Sequence, residues 1–356
     1  MALKVVVVGA GIAGLAAGWE LARASGQFDV TVLESERRAG GVVVTESVNG
    51  FVVEGGPDGF LASEPELPTL AAELGIADRV VNQRARGTSV WSGNELRPVE
   101  EGRAAALLGI DVKHADLALG FRTFAGGMGE LAAALTARLA GTLHFAQGAS
   151  GLVRDGTRWR VAITGGSAYN ADAVLLALPA WAAGRLLEMV GVRNGRSLAE
   201  VPYLPSVTVS LAYRTDQIGR PLDGAGFVVD SDACQIRACT YASAKFPGRA
   251  PDGHALLRAF LLPIEEDPAQ IAHHELATIL AIRGEPLWSR VFYWNRGLPR
   301  YRVNHAEHVT AVRRQLARLP PLAIAGAGYD GAGVSACVRS GREAGRLIAR
   351  LMATEA

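Results

Sequence analysis

Hydrophobic positions along this chain follow two different periods. Residues 4–8 form a continuous β-branched run, the pattern of a parallel strand covered on both faces, and residues 29–33 repeat it. Between them, residues 13–24 read as a helix. Short apolar strands recur at 143–145, 159–163 and 173–177, the last ending in Leu178-Pro179, and another at 322–325 precedes a helix over 334–352. From residue 206 the pattern changes: 207–213, 236–241 and 255–262 alternate apolar and polar, as strands of a separate antiparallel sheet do. Amphipathic helices are expected around that sheet at 269–283 and 305–319. Further helices are expected at 65–74 and 128–140, a strand at 50–54, a strand or hairpin at 90–98 turning at Gly93-Asn94, and a loop at 121–127. Residues 99–120 carry an Ala/Leu helix-like run that is harder to place.

The first strand ends at Gly9-Ala10-Gly11-Ile12-Ala13-Gly14. Gly9 permits a tight turn, Gly11 lets backbone approach a pyrophosphate, and Gly14 allows close packing of helix on sheet. The helix directs its amide groups and positive dipole end at the phosphates. The second strand then delivers Glu34, twenty positions after Gly14, where a carboxylate would accept hydrogen bonds from a ribose diol. A glycine-rich turn in an ordinary α/β domain would not need an acid at that distance. The unit is read as a site for an ADP-bearing cofactor.

Arg38 and the pair Gly40-Gly41 follow at once, placing a cation and a second close backbone approach beside the same pyrophosphate. This favours FAD over NAD. Residues 50–54 run into Gly55-Gly56-Pro57-Asp58, a rigid turn that exposes backbone. Near the C-terminus a strand again feeds a glycine loop, residues 326–333, and a helix whose N-terminus would face a group carrying negative charge. In a flavoprotein that group is the pyrimidine side of the ring. The alternative is a small-residue contact between helix and sheet.

Composition adds limits. With 356 residues and 49% hydrophobic content, two domains with their own cores are expected. The net charge of +1, with basic residues spread along the chain, gives no nucleic-acid surface. Cys234, Cys239 and Cys337 are odd in number and lack CxxC spacing, which argues against disulfides, zinc or a redox dithiol and suits the cytoplasm. Met1 leading straight into a strand leaves no room for a signal peptide. The most apolar window, 173–183, is broken by Pro179 and falls short of the ~20 residues a membrane span requires, so contact with a membrane would be peripheral.

The segments GAGIAGL, ESERRAGG, NGFVVEGGPDGF, Ala177-Leu178-Pro179, YWNRGLPRY and AGAGYDGAGVSACVRSG, in that order, resemble the FAD-dependent protoporphyrinogen and coproporphyrinogen oxidases, within the wider flavin amine oxidase and phytoene desaturase group. The resemblance covers most of residues 3–352 and implies an α/β fold: a Rossmann-like FAD-binding domain (1–85, 125–200 and 320–356) and a second, α+β substrate domain built on an antiparallel sheet (86–124 and 201–319). It implies that Gly9, Ala10, Gly11, Ile12, Ala13 and Gly14 hold the pyrophosphate, Glu34 and Ser35 the ribose, and Gly41 and Val42 the neck of the cofactor. Gly56, Pro57, Asp58 and Gly59 would lie by the isoalloxazine and Ala149 by the adenine, with Trp294, Gly326, Ala332, Gly333 and Val334 completing the flavin pocket. Val42, Ala149 and Gly59 depart from the residue types common there, which backbone contacts would tolerate.

Between Arg97-Pro98 and Phe121-Arg122-Thr123 the family carries a long helical domain that forms much of the tetrapyrrole pocket and the membrane-facing surface. Here that space holds only a short segment, so a wide, wet cavity is expected beside residues 56–58. The chemistry implied is hydride removal from a reduced substrate to flavin N5, and the cofactor performs it without a catalytic triad. No catalytic side chain is named. His273-His274-Glu275 reads as solvated helix, His305 and His308 as a surface pair, and Thr88, Ser89 and Arg97 as loop residues that would face substrate only in the less favoured reading. Trp288, Tyr293 and Trp294 suit either an aromatic wall or core. Three readings stand: a porphyrinogen oxidase of reduced size acting on a tetrapyrrole, alone, as a homodimer or with a second chain; a flavin oxidase or desaturase for a smaller substrate; and a flavin-binding partner protein without turnover.

Overall fold

The computed structural model describes residues 2–24, 27–107 and 114–354. A five-stranded parallel sheet runs in the order Leu143–His144, Phe28–Leu33, Leu3–Val8, Ala173–Leu176 and Leu322–Ile324. Both faces are covered. Val5, Val7, Val30, Val32 and Leu175 pack under the helices Ile12–Ala22, Glu66–Leu74, Gly129–Arg138 and Val334–Thr354. Val6, Val8, Leu33, Val174 and Leu176 meet Trp159, Val161 and the helices Ala180–Met189 and His305–Leu316. Burial on both sides is why these strands carry no alternation.

The second large sheet has seven strands, ordered Trp288–Pro299, Tyr203–Arg214, His254–Leu261, Ile236–Tyr241, Gly226–Val229, Thr88–Trp91 and Leu96–Val99. Its pairings are antiparallel except between Gly226–Val229 and Thr88–Trp91, so the sheet is mixed. One face, with Val207, Val209, Leu211, Leu257 and Ala259, packs on helix Pro268–Leu280. The other, through Ala212, Leu256, Trp288 and Phe292, receives Phe51 and Val53.

Several expectations are corrected. Residues 121–124 are a strand, the middle one of a small sheet with Phe60–Leu61 and Val80–Asn82. Arg122 and Thr123 gave the segment a loop's polarity, yet Thr123 is fully buried under Arg249. Trp288–Pro299 and Gly226–Val229 went unread as strands. The first is an edge strand with no regular alternation, and the second is buried throughout. Helix His305–Leu316 packs on the parallel sheet through Val309 and Val312 rather than around the mixed one. Within 99–120, helices Glu101–Leu107 and His114–Ala118 are present, and residues 108–113 lie outside the described residues.

Candidate cofactor and active site

The nucleotide end is built from three close approaches. Gly9 has φ 101°, and a Cβ there would lie 2.5 Å from the Ala177 carbonyl oxygen. On Gly14 a Cβ would meet the Gly9 oxygen at 1.9 Å. Gly41 brings a third strip of backbone to Gly11, with 3.2 Å between its would-be Cβ and the Gly11 Cα. Gly40 N donates to Ala10 O at 2.8 Å and fixes this crossing. Ile12 and Ala13 are buried in the first helical turn.

Glu34, 8% exposed, directly follows the second strand with its carboxylate turned back on the loop. One oxygen accepts from Ala10 N at 2.8 Å; the other accepts from Glu36 N at 2.9 Å and Ser35 Oγ at 3.1 Å. A carboxylate has about four acceptor positions, which leaves capacity for a ribose hydroxyl. Gln147 N donates to Glu34 O, so the strand beginning at Ala149 starts next to this acid. Arg38 is exposed and donates to the carbonyls of Gly41 (2.7 Å) and Ala39 (3.2 Å), clamping the second glycine pair.

The C-terminal loop meets the N-terminal one. A Cβ on Gly326 would sit 3.6 Å from the Ala13 Cβ, and the helix starting at Val334 lies directly against the first helix. Two tyrosines tie this loop by hydrogen bonds, and a third, Tyr203, packs against it at Gly328. Tyr329 OH donates to Leu178 O at 2.9 Å, Tyr203 OH accepts from Ala180 N at 2.9 Å, and Tyr301 OH donates to Ala327 O. Burial pushes all three phenols up, so they stay protonated.

The surfaces left between the loops fit FAD. Positions Gly11 and Gly333 face open space, which a Cβ would invade, at the N-termini of the two helices. Neighbouring Ala332 and Val334 set the start of the second helix, and the fully buried Ser335 there has a hydroxyl without a partner. A pair of helix N-termini around an open cradle suits a diphosphate and an electron-rich ring.

The turn at residues 55–59 joins this cradle to the mixed sheet. Gly56 leaves room for backbone only, since a Cβ would fall 1.8 Å from Val42 O, while Val42 itself is 45% exposed. Gly59 lies against Arg122 O, and Pro57 is half-buried. The carbonyl of Gly55 accepts three donors from adjacent strands: Trp294 Nε1 at 2.8 Å, Arg258 Nη2 at 3.1 Å and Thr208 Oγ1 at 3.3 Å. Beside it, Asp58 accepts from Lys245 Nζ at 2.9 Å, and Glu54 lies 3.6 Å from Arg249. Burial alone would raise the Asp58 carboxyl, but Lys245, Arg258 and Arg249 outweigh it and hold it below its ordinary value. For Glu54 burial wins over its bonds from Thr45 and Met128, and its carboxyl is raised. Burial pushes both guanidinium groups down, countered in each case by these two acids.

A family model described as flavin containing amine oxidoreductase matches residues 12–109 and 88–349. The chain belongs to this family. As a member it is a FAD-dependent oxidoreductase, and FAD is its cofactor. Among similar proteins, the coproporphyrinogen III oxidase of Propionibacterium freudenreichii subsp. freudenreichii is 27% identical over 95% of this chain and 89% of its own length. That of Bacillus subtilis (strain 168) is 23% identical, covering 96% of each chain. A solved structure from Exiguobacterium sp. 255-15, provisionally named a protoporphyrinogen oxidase, aligns with a TM-score of 0.85 at 23% identity over 99% of both chains. The Propionibacterium alignment extends over 477 positions against the 356 residues here, so that relative has residues without a counterpart.

Other sequence candidates are placed differently from the readings above. His305 is buried, stacked on Tyr301 with ring centroids 4.4 Å apart, and burial lowers its pKa; His308 is half-buried. Tyr293 points out at 61% exposure, whereas Trp288 and Trp294 share the inner face, so the three form no single wall. Thr88 donates to Glu101, and Arg97 pairs with Glu95. His273 meets Tyr213 OH at 3.0 Å and Glu285 at 3.3 Å. That end of helix Pro268–Leu280 borders an open cavity of about 740 Å³, on the far side of the mixed sheet from Gly55. Sequence reasoning missed Thr208, Lys245, Arg249 and Arg258. Arg258 alone had a signal, a cation inside the apolar stretch 255–262. Among the described residues no His/Cys/Asp/Glu group is arranged for a metal, and no helix is long and apolar enough to cross a membrane.

Proposed function

We propose that this enzyme is a porphyrinogen oxidase, dehydrogenating coproporphyrinogen III or protoporphyrinogen IX to the porphyrin. The observation that carries this reading is the near end-to-end match to coproporphyrinogen III oxidases of two genera. FAD, when bound, would supply the hydride-accepting chemistry. The chain's own residues hold and orient it. In this reading Gly9–Gly14 face the diphosphate, Glu34 and Ser35 the ribose, and residues 56–59 with Trp294 the ring. Parts 1–85, 125–200 and 320–356 form the FAD unit, and the mixed sheet offers the substrate face. The test is anaerobic mixing of the yellow holoenzyme with each porphyrinogen. Bleaching of flavin absorption by at least one supports the reading, and bleaching by neither overturns it.

A second reading, a smaller reduced substrate, is favoured by one observation: the Propionibacterium relative has residues without a counterpart in this chain, and the segment between Val99 and Phe121, where the resemblance implies a substrate-lining helical domain, is short. Bleaching by an amine or a short polyene, and by no porphyrinogen, would establish it.

A further inference from the structure

Arg258 is 4% exposed, lies at the centre of the mixed sheet between Ser210 and Thr240, and points to the face that receives Gly55. Its guanidinium donates to Gly55 O through Nη2 and rests 4.8 Å from the ring centroid of Phe260, but Nε has no partner. A buried N–H left unpaired costs stability that a packed interior rarely tolerates without a purpose. The surrounding charges do not cancel. Among the described residues, Lys245, Arg249 and Arg258 stand against two close acids, Glu54 and Asp58; a further acid acting on Arg249, Glu130, is already paired with Arg79 at 2.7 Å. The cluster is continuous with the cradle, since Gly11 touches Gly41, Val42 touches Gly56, and Gly55 holds Arg258.

We propose that Arg258 and the positive surplus around it form a built-in electrostatic support for the reduced cofactor, raising the reduction potential of bound FAD. Taking up two electrons and one proton adds one negative charge to the flavin. A buried cation fixed by Gly55 favours that charge without having to reorganise. The proposal rests on the placement of the ring beside residues 55–59 given above, and not on the identity of the substrate.

The experiment is a potentiometric titration of the holoenzyme with dithionite, without substrate, on the parent chain and on Arg258→Met, Arg258→Lys and Asp58→Asn. Loss of one nearby charge is expected to shift the oxidised-to-reduced equilibrium on the order of tenfold, about 30 mV for a two-electron couple. Arg258→Met should move it down, Asp58→Asn up, and Arg258→Lys should leave most of it in place. Unchanged potentials in FAD-loaded Arg258→Met and Asp58→Asn overturn the proposal. So does loss of FAD from both, which would make the cluster a structural element. Failure of porphyrinogens to bleach the flavin would overturn the substrate reading and leave these shifts intact, so the two are separable.

Discussion

Gly341 packs on the backbone of Ala13: a Cβ at Gly341 would lie 2.1 Å from the Ala13 carbonyl oxygen. Four residues on, a Cβ at Gly345 would meet Ala17 O at 3.0 Å. The first and last helices therefore touch main chain to main chain, and Arg342 secures them through Glu20 at 2.8 Å and Glu73 at 2.9 Å. This contact, far apart in sequence, sets the distance between the two glycine loops.

Replacing Gly341 by Ala removes helix-interior glycine, a change that by itself gains about 0.5–1 kcal/mol. Here overpacking, about 1–3 kcal/mol, is larger and decides the sign. Gly341→Ala should be less stable by thermal denaturation, and Gly341→Val should fail to retain FAD after gel filtration, read from flavin absorption.

Glu34→Gln keeps the shape and an acceptor for one amide but loses charge at the position proposed for the ribose. Hydrogen bonds to charged groups are worth about 1.5–3 kcal/mol. FAD affinity, measured by fluorescence quenching on rebinding to the apoprotein, should fall between about tenfold and a hundredfold.

Two helix N-termini and the buried Ser335 hydroxyl border the position proposed for FAD, and removing FAD takes away a ligand that binds the folded chain. Holoenzyme in free FAD at 100 times its dissociation constant should be more stable than apoprotein by about 2.7 kcal/mol. The difference should disappear when FAD is withheld from the denaturant titration.

Asp58 has a folded-state pKa below its ordinary 3.8, so its contribution is fully present above that value and is lost as pH falls through the folded pKa. Stability should decline as pH drops below about 4. Asp58→Asn should flatten the decline in that window, as urea midpoints at a series of pH values would show. Glu54, raised above its ordinary 4.5, works in the opposite sense: its ionisation burdens the folded state as pH rises past that value. Glu54→Gln should therefore not reproduce the flattening.

The sequence alone determined what short-range geometry dictates. A β-branched run, glycines at fixed offsets and an acid twenty positions later can satisfy one another only as a strand, a turn, a helix and a second strand, and Glu34 does reach Ala10 N. The same logic made the C-terminal strand, loop and helix legible. What the tertiary structure decided is everything that depends on partners distant in the chain. Residues 121–124 became a strand because the flanking strands at 60–61 and 80–82 supply both sets of hydrogen bonds, whatever the polarity of Arg122 and Thr123. Gly55 O is held from positions 208, 258 and 294, and Asp58 is held below its ordinary pKa by cations 187 to 200 residues away. Local pattern fixes backbone conformation, but the field at a buried carbonyl or carboxylate is set by which strands the fold stacks on it. Nothing in residues 54–58 encodes that arrangement.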